Sequence, residues 1–415
     1  MARPRRTLLV LGGSSDQLFL IRTAQQMGLA VLCLDRDPEA PGLQEADEAA
    51  AVSTRDVPAI LEFLEERLAD GESLHGVLTM GSDVPAVVAA VAEAFELPGP
   101  TRACARLATD KLAMKQRLRE CGIPIPWFAE VRGLGELNAY LRERGRLVLE
   151  PIDRSGSRGV FVLDGTCDAA RLLREAREQS FVGRVMVEEY LEGPRVSTEC
   201  VLWDERAATP GFADRNHELL ERFLPRVMEN GGQVPSRLAG AERAATEDVT
   251  VAAARALGIA RGTARGAVVW TPAGPVVIEV AARLSGGDFC ESLVPLSTGV
   301  NLVRAAVRIA LGEEPDWREL EPTRPERWVA NRYLFPTPGR LIAVEGAEKV
   351  RAQPWVKKLE LAYRPGDLVP PATSHASRFG VFVVVADDAE ALARRVEWVY
   401  RTLRLETRSD AALAA

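Results

Sequence analysis

The sequence predicts an α/β protein: a parallel-sheet domain, then a two-lobed α+β region, then a small C-terminal α+β domain. Three observations lead there. Residues 1–108 alternate continuous apolar runs with helically spaced ones. Residues 109–318 mix strands joined by turn-rich connections with helices, splitting near residue 190 into lobes 109–190 and 191–318. Gly312–Arg327, with Pro315, Pro322 and Pro325 among many charges, then separates a C-terminal unit, 319–415.

Taken in order, the apolar run 7–11 reads as a buried strand ending at Gly12-Gly13-Ser14-Ser15. Leu18, Ile21, Ala24 and Met27 follow at close to helical spacing, and Ala30–Asp35 makes a second buried strand. Pro58–Leu68 reads as a helix with proline in its first turn, and 76–79 as a third strand. Buried strands separated by helices imply a parallel sheet covered on both faces. Asp110–Lys115 opens a helix that ends at Gly122. Residues 147–203 alternate strands with one helix, Asp168–Gln179; strands 264–270 and 275–281 flank the turn Thr271-Pro272-Ala273-Gly274. A helix over 300–311, strands 328–334 and 380–385, and a helix over 388–403 complete the pattern. The Ala-rich end after Asp410 is expected to fray.

Composition narrows the function. The 415 residues carry 52 basic and 59 acidic side chains, a formal charge of -7, whereas nucleic-acid binders are usually basic. No apolar run approaches the roughly 18 residues of a membrane span, and the run at 7–11 stops short of the roughly 7–15 residues of a secretory signal. The expectation is a cytoplasmic protein without nucleic-acid or membrane partners. Six scattered cysteines without a CxxC pair read as reduced, buried thiols, and three dispersed histidines do not make a metal site.

Four segments carry chemistry. Gly12-Gly13 with Asp35 suggests a dinucleotide-binding βαβ unit, but the full GxGxxG fingerprint is absent, and a sharp strand-to-helix turn explains the glycines equally. In Ser155-Gly156-Ser157-Arg158-Gly159, small residues let backbone amides wrap a phosphate; a flexible hairpin is the alternative. Val187–Gly193 ends an apolar strand with Glu188 and Glu189, groups suited to the amino edge of a purine, or simply solvated. Glu279 closes a β-branched run, where one carboxylate plus phosphate oxygens would suit Mg²⁺, and Arg283 four residues on could grip a carboxylate or phosphate. The plainer reading is a Glu279–Arg283 ion pair. Asp214–Glu218 and Glu229–Gly232 offer polar contacts or a solvated loop.

Together these segments resemble the ATP-grasp superfamily of carboxylate–amine ligases, in the biotin-carboxylase-like and L-amino-acid-ligase branch. The resemblance runs from the first strand to about residue 405. Leu11–Ser15, Asp35–Pro38, Ala46-Asp47, Ser53–Asp56, Gly81–Asp83 and Leu97–Pro100 resemble the Rossmann-like pre-ATP-grasp domain. Glu279–Gly287 is similar to the metal-carboxylate and arginine strand of the two-lobed ATP-grasp domain. Asn331–Pro336, Arg364–Asp367 and Ser377–Gly380 are similar to the C-terminal accessory domain. The shared order is what makes the resemblance specific.

The resemblance implies ATP and Mg²⁺ (or Mn²⁺) as cofactors, small-molecule carboxylate and amine substrates, and room for a homodimer. It gives Lys111 an ATP contact. It makes Ser155, Gly156, Ser157, Arg158 and Gly159 the loop over the phosphates, with Arg158 a catalytic cation. Glu188, Glu189, Tyr190 and Leu191 become the adenine hinge, Glu188 pairing with the amino group. Glu199 is placed toward the ribose or metal, Glu279 on the metal, and Arg283 on the acyl phosphate or carboxylate. The implied reaction joins two small molecules, two amino acids in the preferred version. A purine-pathway carboxylase or formyltransferase, a pseudoenzyme and an NAD-dependent oxidoreductase are the rivals. Two residues depart from the pattern: Glu150 stands where lysine is usual, with Arg154 or Arg158 expected to compensate, and Ala267 stands where an acidic metal ligand is usual, with Asp288 as a substitute.

Overall fold

The computed structural model describes residues 5–69 and 71–409; the end expected to fray lies outside them. Near the N-terminus a four-stranded parallel sheet runs, in spatial order, Glu48–Ala51, Ala30–Asp35, Thr7–Leu11, Leu74–Leu78. Successive side chains alternate faces. Leu8, Val10, Val31 and Cys33 therefore enter one core with helix Ser15–Gln26, while Leu9, Leu11, Leu32 and Leu34 enter another with helix Val57–Leu68.

The first lobe is an antiparallel sheet, in order Phe128–Val131, Val185–Glu189, Leu147–Pro151, Phe161–Leu163. Helices Leu134–Arg144 and Ala169–Gln179 cover it with Leu137, Leu172, Leu173 and Ala176.

The largest sheet has eight antiparallel strands, in order Gly274–Ala281, Arg261–Thr271, Arg195–Trp203, Arg206–Arg215, Gly232–Val234, Trp328–Leu334, Gly380–Ala386, Val356–Leu361. It continues straight across residue 318, so the proline-rich stretch is a surface connection and not a break in the fold. Main-chain pairing of Gly232–Val234 with Val329–Asn331 makes the join. Helix Leu302–Ala310 also ignores the sequence boundary, packing back on the N-terminal sheet in one core with Leu8 and Val10. The approach is close: a Cβ on Gly76 would lie 2.5 Å from the Ala310 carbonyl oxygen. Beyond 318, helix Ala389–Thr402 and a three-stranded sheet (Leu368–Val369, Gly339–Glu345, Arg404–Arg408) complete a core around Phe382.

Four cysteines are buried, Cys121 is exposed, and all six are free. No helix among the described residues is long and apolar enough to cross a membrane.

Candidate functional site

Where the parallel sheet, the first lobe and the eight-stranded sheet meet, a cavity of about 1250 Å³ opens. Each layer contributes chemistry to it: Asp35 and Asp83, then Glu150 and the 154–158 loop, then Arg215, Arg265 and Glu279, and from the C-terminal unit His375 and Arg378.

The helix Lys111–Glu120 starts beneath this cavity, its first turn capped by Asp110, which accepts the Ala113 N–H. Lys111 and Lys115, one turn apart, share a face. Lys111 Nζ donates to Glu150 at 2.6 Å and lies 3.7 Å from Glu279, while Lys115 pairs with Glu188. Burial alone would lower the Lys111 pKa, but Glu150 and Glu279 outweigh it and raise it. The cation that compensates Glu150 is therefore Lys111, not Arg154 or Arg158. The Glu188 carboxylate, expected to face adenine, is buried and engaged by Lys115; burial raises its pKa against the pull of that lysine.

The glycine-rich loop is held from both sides. Ser155 Oγ donates to Asp83, which also accepts from Arg283 at 3.1 Å. Ser157 Oγ is hydrogen-bonded to His375 Nε2 at 2.9 Å, and the His375 N–H donates to the Gly156 carbonyl at 3.0 Å. Gly156 and Ser157 sit at φ +65° and +57°, a region that is free for glycine and strained for serine. Burial and Arg378 push the His375 pKa well below the ordinary value, keeping its ring neutral. Arg283 thus pairs with Asp83 and not with Glu279. It is seated by a backbone approach in which Gly81 donates to the Leu284 carbonyl, and a Cβ on Gly81 would lie 3.0 Å from Gly286 Cα.

On the eight-stranded sheet, Ala267 faces Glu279 across the hairpin, and Arg265 pairs in register with Glu199 on its other side. Burial raises the Glu279 pKa, and Lys111, Arg265 and Arg283 more than reverse that, so it is an anion. Glu199, expected near ribose or metal, is fully buried beneath the floor; it accepts the Ser285 N–H at 3.0 Å, and burial pushes its pKa up to about 7. Asp288, the suggested substitute, is buried and ion-paired with Lys358 at 3.0 Å. No cluster of three or more potential metal ligands occurs among the described residues. Glu279 fits Mg²⁺ in the manner of one protein carboxylate completed by phosphate oxygens. At the first sheet, Asp35 accepts the Gly13 N–H at 2.8 Å, which accounts for that turn without a dinucleotide.

The polar segment 229–232 is buried, and 214–218 runs from buried Asp214 to exposed Glu218. Asp214, Glu229 and Asn230 are buried, and Arg215 donates to Ser197 Oγ at 2.6 Å and to Glu229 at 3.2 Å. Arg215 and Arg378 line the cavity from segments that the sequence singles out, whereas Arg265 and His375 line it without a local motif to mark them.

Residues 108–287 match the family model described as ATP-grasp domain, and residues 332–408 that described as L-amino acid ligase C-terminal domain 2. Uncharacterized protein y4rH of Sinorhizobium fredii is 28% identical over 378 residues, 88% of this chain and 75% of that protein. Carnosine synthase 1 of Gallus gallus is 26% identical over 77% of this chain but only 36% of its own length, so the chain spans little more than a third of that relative. The crystal structure of an L-amino acid ligase from Bacillus licheniformis superposes with a TM-score of 0.83 at 21% identity, covering 98% of this chain and 100% of that one.

Three outcomes are expected from this geometry. Glu150→Gln leaves Lys111 without its nearest partner and should cost about 3–5 kcal/mol, read from chemical unfolding. Glu229 is a second probe: burial would raise its pKa, but the Arg215 and Arg378 guanidiniums hold it down at about 2. Its stabilisation is complete above its ordinary pKa near 4.5 and is lost as pH falls toward 2, so Glu229→Gln should flatten the acid limb of a stability–pH curve. His375→Ala should release the loop and speed tryptic cleavage after Arg154 and Arg158; unchanged cleavage would show that the contact holds nothing.

Proposed function

Because the chain belongs to the ATP-grasp superfamily, with an L-amino acid ligase type of C-terminal domain, we propose that it is an ATP-dependent ligase that joins a carboxylate to an amine, most simply two amino acids. The carrying observation is the convergence of the glycine-rich loop, Lys111, Glu279 and Arg283 on one cavity. A substrate carboxylate oxygen attacks the γ-phosphorus and ADP leaves, forming an acyl phosphate. The amine nitrogen then attacks the acyl carbon, phosphate departs, and the nitrogen loses its proton.

The reading assigns residues as follows. Amides of residues 155–159 and the guanidiniums of Arg154 and Arg158 face the phosphates. Arg283, fixed by Asp83, stabilises charge on the transferring group. The segment Glu188–Leu191 lines the adenine end, offering Tyr190 and main-chain groups, since the Glu188 carboxylate is occupied. Mg²⁺ held by Glu279 would neutralise phosphate oxygens. Lys111 keeps Glu150 from repelling the triphosphate. Glu199 acts from below, fixing the backbone at Ser285.

The match of residues 332–408 favours amino acids over the purine-pathway alternative. One observation supports a second reading, a nucleotide-binding protein without turnover: Ala267 removes one acid, and Glu150 absorbs much of the Lys111 charge. In either case we place the protein in the cytoplasm, with small molecules as partners.

Phosphate release from ATP should require Mg²⁺ and added amino acids, and hydroxylamine should trap the acyl phosphate. Glu279→Ala should lower kcat/KM by about 10²–10³-fold. Nucleotide binding without amino-acid-dependent release would establish the second reading.

A further inference from the structure

Beside the residues assigned to the nucleotide, the cavity wall carries Arg265, Arg215 and Arg378 grouped around Ser197 and Glu229. Arg265 and Arg215 both donate to Ser197 Oγ, at 3.4 and 2.6 Å, a hydroxyl that cannot neutralise either. Arg215 and Arg378 then share Glu229, at 3.2 and 3.6 Å. The cations thus form a row, Arg265–Ser197–Arg215–Glu229–Arg378. Its flanking histidines add no further positive charge, since burial and neighbouring arginines keep His217 and His375 neutral near pH 7.

The row is under-partnered as well as over-charged. The Nε atoms of Arg265 and Arg378 are buried without a hydrogen-bond acceptor, and Arg265 makes no ion pair among the described residues. Arg378 is pressed on the Tyr333 ring at 3.6 Å and is nine-tenths buried. Withdrawing guanidinium groups from water without partners is costly. Of the three guanidiniums only Arg215 and Arg378 have an ion pair, and they share one carboxylate, so the row keeps donors for an anion that fills the cavity.

We propose that Arg215, Arg265 and Arg378 anchor the carboxylates of an acidic amino-acid substrate, groups that phosphoryl transfer does not consume. The inference rests on the ligase reading and names its substrate class. A dicarboxylate suits a row of guanidiniums better than a single carboxylate does, because the charges are spread along it and each planar fork takes one carboxylate. A neutral amino acid offers the row a single carboxylate.

Calorimetry on the full chain loaded with Mg²⁺ and a non-hydrolysable ATP analogue tests this. Glutamate or aspartate should bind at least about tenfold more tightly than glutamine or asparagine, the scale of one charge-assisted hydrogen bond. Arg265→Gln and Arg378→Gln should each erase that preference, and Arg378→Gln should do so with analogue affinity unchanged. Arg265→Lys, which keeps the charge and serves as the folding control, should retain part of it. Equal binding of glutamate and glutamine would overturn the proposal. So would variants whose loss falls on the ATP analogue, since the row would then belong to the triphosphate. Selective, arginine-dependent glutamate binding without phosphate release would uphold the subsite and refute the ligase reading, so the two fail separately.

Discussion

A single buried ammonium ties the site together. Lys111 reaches Glu150 on the first lobe and Glu279 on the eight-stranded sheet, so two separately folded sheets share one counter-charge. An ion in a half-buried crevice is stable only when its partners are fixed, and here each partner belongs to a strand. Helix Lys111–Glu120 supplies the fixity: its capped start sets Lys111, and one turn later Lys115 engages Glu188 on the neighbouring strand. The relative placement of the lobes and the electrostatics of the cavity are therefore one constraint.

Asp83 acts similarly at the other wall. It reaches from the N-terminal unit to the glycine-rich loop through Ser155 and to the sheet through Arg283. His375 closes the remaining side, so the loop is held by the unit before its domain and by the unit after it. That arrangement gives the C-terminal unit a physical role. It continues the main sheet, and it brings His375 and Arg378 to a cavity they lie far from in sequence.

Much of the fold was legible because local patterns and tertiary packing agree. The strands Thr7–Leu11 and Ala30–Asp35 are apolar throughout because both sheet faces are covered, and the hairpin 261–281 announces itself by its turn. Other elements were hidden for physical reasons. Glu48–Ala51 is a short, mostly exposed edge strand, and Gly240–Ala256 buries few residues along its length, so neither shows a clear apolar period. Arg206–Arg215 begins exposed and ends buried, and its polar end resembles a loop. The main sheet runs on past the boundary expected at residue 318, because proline and charge report a chain leaving the core, not a sheet ending. At the site, Lys111, Glu279 and Arg283 could be found from their local segments; Asp83, Arg265 and His375 take their meaning from long-range partners.

The two departures from the family pattern look like losses in a linear reading and like redistribution in space. A carboxylate at 150 would oppose a triphosphate if it stood alone, but it is buried against Lys111 and presents little field to the cavity. An acid absent at 267 would leave the hairpin poor in ligands, yet Arg265, two residues away on the same face, puts positive charge beside Glu279. At 150 a carboxylate stands where a cation is usual, and at 267 an alanine stands where an acid is usual. The missing acid leaves Arg265 without a carboxylate at 267, on the wall that continues through Ser197 to Arg215. An anion entering this cavity therefore meets a wall of guanidiniums along the eight-stranded sheet, from Arg265 through Arg215 to Arg378.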